Sequence, residues 1–130
     1  MALAIFLDFP TNRRDPLSTH LRPELWIIDA WMGRVPGYVE LDESSWIEAL
    51  DRCASWLDDI GCKGPYKWIA GMEDIKGRRL TIPTQQRTFG VSVADSVAQT
   101  GTFSLGESAS AALDSFLPDV WDAFGSQRPS

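Results

Sequence analysis

The sequence predicts an α+β domain, in which a mostly antiparallel sheet of about five or six strands packs against two amphipathic helices, near 45–60 and 107–124. Three observations predict it. Short runs with period-two apolar alternation recur along the chain. Two longer segments carry their apolar residues at helical spacing instead. Clusters of Gly, Pro, Ser and Asp, the residues that reverse a chain, separate them. The 130 residues show no shift in composition and no internal repeat, which predicts one domain over 1–130.

Leu3, Ile5, Leu7 and Phe9 alternate with Ala4, Phe6 and Asp8. Apolar residues on both faces predict a strand buried inside a sheet. Residues 10–23 hold three prolines and many polar turn formers, and read as a long loop. Residues 24–32, ELWIIDAWM, are apolar nearly all round, so periodicity leaves helix and strand open. Ile27, Ile28 and the aromatics favour a strand, with Tyr38–Leu41 pairing back onto it.

The helix near 46–60 has signals at both ends. Ser45 with Glu48 forms a capping box, and Gly61 supplies a C-terminal cap. Trp46, Ile47, Leu50, Cys53, Ala54, Leu57 and Ile60 fall on one side of the helical wheel. Glu48, Asp51, Arg52, Ser55, Asp58 and Asp59 fall on the other, with Trp56 at the margin.

Strands are expected at 66–72 and 79–82, joined as a hairpin around Asp74-Ile75-Lys76-Gly77. Two more, at 89–93 and 100–105, continue a meander. The last stripe is Ala109, Ala112, Leu113, Phe116, Leu117, Val120, Ala123 and Phe124. Pro118 interrupts it, so either one helix kinks there or a second begins. The tail SQRPS reads as frayed.

Composition narrows the function. With 44% apolar and 23% charged residues the chain has a globular balance. A net charge of −6 disfavours nucleic acid or an anionic membrane as the partner of the whole surface. No apolar run reaches the ~20 residues that span a bilayer. The opening MALAIFLDFP lacks the basic start of a signal peptide. Cys53 and Cys62 make no disulfide framework and no zinc pattern. A cytoplasmic protein is expected.

Motifs with a known mechanism are missing. The chain contains no GxGxxG, no GxxxxGK[ST] and no HExxH. No calcium-loop spacing starts at Asp42 or Asp58, since neither has Gly at the sixth position. No metal or cofactor is expected. Gly90-Val-Ser92-Val-Ala94 resembles a nucleophile elbow, but the sole histidine, His20, precedes it, against the order that fold uses. Ser92 therefore reads as an ordinary strand serine. Lys63, Lys67, Lys76, Arg78, Arg79 and Arg87 give residues 63–87 a net +4, the one basic stretch.

Residues 40–61 hold seven acidic side chains and one basic one, a net −6 equal to that of the whole chain. A row of carboxylates on a rigid helix steers association with a basic partner. The leading expectation is a non-enzymatic binding protein whose contact set is Glu43, Glu48, Asp51, Trp56, Asp58 and Asp59. Its partner would be a basic protein, a toxin or effector. In size, acidity and lack of catalytic groups the chain is similar to the immunity proteins that bacteria pair with toxins. Two alternatives stand beside it. One is a small enzyme using Asp8, Asp29 and His20 at the strand ends. The other is a phage or plasmid inhibitor that mimics nucleic acid with spaced carboxylates.

Overall fold

The computed structural model describes residues 2–7, 24–28 and 31–129. The fold is α+β, with two sheets where one was expected. Strands β1 (Ala2–Leu7), β2 (Glu24–Ile28), β4 (Tyr66–Glu73) and β7 (Ser96–Phe103) form an antiparallel sheet in the order β2-β1-β4-β7. Strands β3 (Tyr38–Glu40), β5 (Arg79–Ile82) and β6 (Arg87–Val91) form the second, in the order β3-β5-β6. Within the segment 24–32, Glu24–Ile28 is a strand, and a 3₁₀ turn covers Trp31–Gly33.

β4 explains why the chain splits. Tyr66, Trp68, Ala70 and Met72 are buried along one face, while Ile69 and Glu73 are exposed on the other. Such a strand pairs along both edges, and β1 and β7 take them. The hairpin expected between 66–72 and 79–82 therefore does not form. A turn does occur there, closed by the Arg78 amide on the Ile75 carbonyl at 3.0 Å, with Gly77 at φ 78°. Ile75 is buried within it, and the chain passes to the other sheet. Arg78 fixes the landing point. Its guanidinium donates to the carbonyls of Gly33, Tyr38 and Asp74, each at 3.0 Å. This sets β5 beside β3, so Tyr38–Glu40 pairs in parallel with Arg79–Thr81 and not back onto β2. A parallel pair needs a long crossover, which runs here through helix α1 (Glu43–Asp59) and β4. The expected meander fails likewise, because β7 pairs with β4 and not with β6.

α1 begins earlier than the Ser45 cap predicts. Asp42 is the N-cap, and its carboxylate accepts from the Ser44 amide at 3.1 Å and from the Ser44 and Ser45 hydroxyls. Three donors on one carboxylate outcompete the capping box. The helix ends as predicted at Gly61, with φ 91°. Cys62 donates its amide to Leu57 and Gly61 donates to Asp58, which is a Schellman closure.

The predicted helix at 107–124 is broken in two. Helix α2 (Ala109–Ala112) and helix α3 (Leu117–Ala123) are joined by a 3₁₀ turn at Leu113–Ser115. Pro118 has no amide to donate to Asp114 and its ring crowds that carbonyl, so α3 starts anew around it. The apolar stripe keeps phase across the break: Ala109, Leu113, Phe116, Leu117, Val120 and Phe124 are all buried.

The core lies between these helices, α1 and the first sheet. Trp46 packs on Phe116 with ring centroids 4.8 Å apart. The Trp68 indole lies over Gly101, where a Cβ would come within 2.5 Å of the ring. At Gly90 a Cβ would stand 2.0 Å from the Phe124 carbonyl oxygen, so that glycine serves backbone contact and not a catalytic elbow. The tail is tied down rather than frayed. Ser126 donates its amide to Trp121 at 3.1 Å and accepts from the Gly90 amide at 3.2 Å.

Candidate functional site

The wheel drawn from sequence holds for most of α1. Trp46, Ala49, Leu50, Cys53, Ala54 and Leu57 are buried, and Glu48, Asp51, Arg52, Ser55 and Asp59 are exposed. One apolar residue departs from it. Ile60, expected in the core, is 53% exposed, and Trp56 one turn before it is 51% exposed. Ile60 escapes burial because it is the C-cap, where the helical path ends and the chain turns at Gly61. The two side chains lie four residues apart and so share one patch of the helix surface. Of the two, Trp is among the residue types that anchor interfaces.

The acids divide into two groups. Glu48, Asp51 and Asp59 make no hydrogen bond or ion pair among the described residues. Glu43 and Asp58 are engaged inside the chain. Asp58 pairs with Lys63 at 3.1 Å, and the same ammonium reaches the Asp58 carbonyl at 3.3 Å. Lys63 thereby supplies the positive charge that a helix C-terminus favours. Glu43 accepts from the Trp121 indole at 2.9 Å and from Arg128 through Nε at 3.0 Å and Nη2 at 3.2 Å. Arg128 also meets Asp114 at 3.3 Å. The Glu43 hydrogen bond, first among its causes, holds the Arg128 guanidinium above its ordinary pKa. The sequence shows no sign of this clasp, since its members lie 78 and 85 residues apart.

A cleft of about 280 Å³ opens beside the clasp, lined by Leu41, Asp42, Glu43, Ile82, Thr84 and Trp121. A hollow of about 210 Å³ adjoins it, walled by Arg34, Glu40, Asp42 and Pro83. Every carboxylate in both is engaged. Arg34 pairs with Glu40, Glu43 is clasped and Asp42 caps α1. The hydrogen bond from Ser44, ahead of those from Ser45, holds Asp42 below its ordinary pKa. Among the described residues, neither hollow holds a carboxylate without a partner.

Four of the six residues of the basic stretch are engaged in architecture. Lys63 and Arg78 have the partners named above. Arg79 donates to the Phe89 carbonyl at 2.9 Å, and Arg87 stacks 5.4 Å from the Phe89 ring centre. Ser92 is buried, and its hydroxyl donates to the Ala94 carbonyl at 2.8 Å while accepting from the Ala94 amide. It closes a local turn. Cys53 is buried, and burial pushes its thiol pKa up, away from reactive thiolate. Asp8, His20 and Asp29 lie outside the described residues.

Among the described residues no three His, Cys, Asp or Glu side chains gather closely enough to hold a metal ion. No described helix is long and apolar enough to cross a membrane. Of the contact set expected from sequence, Glu48, Asp51, Trp56 and Asp59 are open to solvent, and Glu43 and Asp58 are engaged internally. No protein-family model, curated protein or solved structure matches the chain.

Proposed function

We propose that the chain is a non-enzymatic binding protein that neutralises a basic protein partner, such as a toxin or effector, through the solvent face of α1. The observation that carries this reading is the exposed Trp56–Ile60 pair flanking Glu48, Asp51 and Asp59, three carboxylates with no partner among the described residues. Apolar anchors supply contact area, and the carboxylates supply orientation and fast encounter. From Glu48 to Asp59 the row runs about 16 Å along a rigid helix, at ~1.5 Å per residue, enough to meet several lysines or arginines.

Asp59 strengthens the reading. It sits in the last turn of α1, where negative charge is unfavourable, and unlike Asp58 it has no Lys63 to compensate it. Helix stability does not call for it, whereas a basic partner does.

The test is a pull-down from the native host with wild-type chain and with an E48Q/D51N/D59N variant, followed by binding of the captured protein in purified form. A basic protein held by the wild type and lost by the variant supports the proposal. Equal retention by both removes it. Competition by duplex DNA for the same partner would instead favour the nucleic-acid-mimicking inhibitor.

A further inference from the structure

The two strands of the first sheet whose side chains are best defined, β4 and β7, bury one face only. On β4, Lys67, Ile69, Gly71 and Glu73 alternate with the buried Tyr66, Trp68, Ala70 and Met72. On β7 the exposed set is Ser96, Ala98, Thr100 and Thr102. Register puts the two sets side by side, with Ile69 next to Thr100 and Gly71 next to Ala98. The row of Ile69 continues through Ala4 to Trp26, and the row of Gly71 through Ala2 to Ile28. Ile69, in the middle of the sheet, is 36% exposed, and Ile28 is 80% exposed.

β4 carries one charge at each end of this outer row. Lys67 and Glu73 have opposite signs and stand about 20 Å apart along the strand, at ~3.4 Å per residue. Neither has a hydrogen-bond or ion-pair partner among the described residues. Between them lie Ile69 and Gly71, which carry no charge.

We infer that this outer face packs on the same face of a second copy, about a two-fold axis that lies between the sheets and crosses the strands. Such an axis runs β4 antiparallel over its counterpart and sets Lys67 of each copy against Glu73 of the other, so both unspent charges are paired twice. Sheets packed face to face align within about 30° and ~10 Å apart, within reach of these long side chains. An axis along the strands would set Lys67 over Lys67 instead. The uncharged middle of the row, Ile69 above all, then leaves water against its own equivalent.

The net charge of the chain does not oppose this arrangement. Residues 40–61 carry all of the −6, and the rest of the chain balances at eleven basic and eleven acidic residues. α1 packs on the buried face of the sheet, with its carboxylates turned away from it. In the dimer the two acidic faces point in opposite directions with both sheets between them. They are more than ~25 Å apart, beyond the ~8 Å over which charge is screened at physiological salt. Asp119, which accepts from Gln99 at 2.6 Å, stands on the helical side as well.

The experiment is sedimentation equilibrium of the full chain from low to high concentration, with a charge swap. The wild type is expected to rise reversibly from 14.5 kDa to twice that mass. K67E and E73K each set two like-charge contacts in place of two pairs, and each is expected to weaken dimerisation ~10-fold or more. K67E/E73K restores opposite signs at both contacts and is expected to regain the wild-type affinity, which a merely misfolded single variant would not explain. W56A, on the α1 face, is expected to dimerise as the wild type does. A wild type that stays at 14.5 kDa throughout, single variants of undiminished affinity, a double variant no better than the singles, or a monomeric W56A each overturns the inference.

Discussion

Arg128 grips Glu43 through two parallel bonds, Nε to Oε2 at 3.0 Å and Nη2 to Oε1 at 3.2 Å, and so ties the chain's end to the first turn of α1. Both side chains are about three-quarters shielded from solvent, at 24% and 28% exposed, which makes this more than a surface ion pair. Arg128→Ala should cost about 1–2 kcal/mol in urea unfolding, the range for a charge-assisted hydrogen-bonded pair. Arg128→Lys should recover only part of it, since an ammonium cannot reproduce the two-pronged geometry. Glu43→Ala should cost more than either, because it also orphans the Trp121 indole.

The Asp42 cap predicts a specific acid sensitivity. Its carboxyl lies below the ordinary value of 3.8 in the folded chain, mainly through the Ser44 hydroxyl. A lowered folded pKa means that the cap's contribution is complete above the unfolded value and fades as pH falls through the folded one. Asp42→Ala should lose ~1 kcal/mol at neutral pH, typical of an N-cap. The gap between wild type and variant should narrow as pH falls from the ordinary carboxylate value of 3.8 through the lower folded one, as thermal melts across pH would show.

Asp59 should behave in the opposite sense. Asp59→Asn removes a charge that the end of the helix disfavours, so it should stabilise the fold by about 0.3–0.5 kcal/mol. Asp58→Asn should gain less or lose, because it gives up the Lys63 pair. Melting temperatures of the two variants, measured side by side at low salt, check the difference in sign or size.

Gly90 tests the close approach of the C-terminal segment. Gly90→Ala would drive a methyl group into the Phe124 carbonyl. A loss of ~1–3 kcal/mol is expected, the cost of overpacking, read by urea denaturation. Gly106→Ala is the useful contrast, since open space surrounds that position and only its positive φ of 97° resists the change.

What could be read from sequence follows the range of the interactions concerned. α1 was legible because its period, its faces and Gly61 are all local. Its start was misplaced by three residues because Asp42 and Ser45 are both good caps, and only the hydroxyls gathered on Asp42 decide between them. The split into two sheets was not legible. A turn signal at Asp74–Gly77 is real, yet the partners of β4 are chosen by β1 and β7 from either end of the chain. Arg78 looked like one charge in a basic stretch, and its three carbonyl partners lie up to 45 residues away. Within the candidate site the exposed acids were visible from the wheel. The clasp that occupies Glu43 was not, and Ile60 stood on the apolar side of a wheel that has no way to show where the helix ends.

The proposed role of the α1 face is to meet a basic partner. The most direct measurement is the association rate and affinity of the isolated partner for wild type and for E48Q/D51N/D59N at low and moderate salt. The variant should bind ~10-fold or more weakly, mostly through a slower association rate, with a flatter salt dependence and an intact fold. Equal rates, affinities and salt slopes for the two proteins would contradict it.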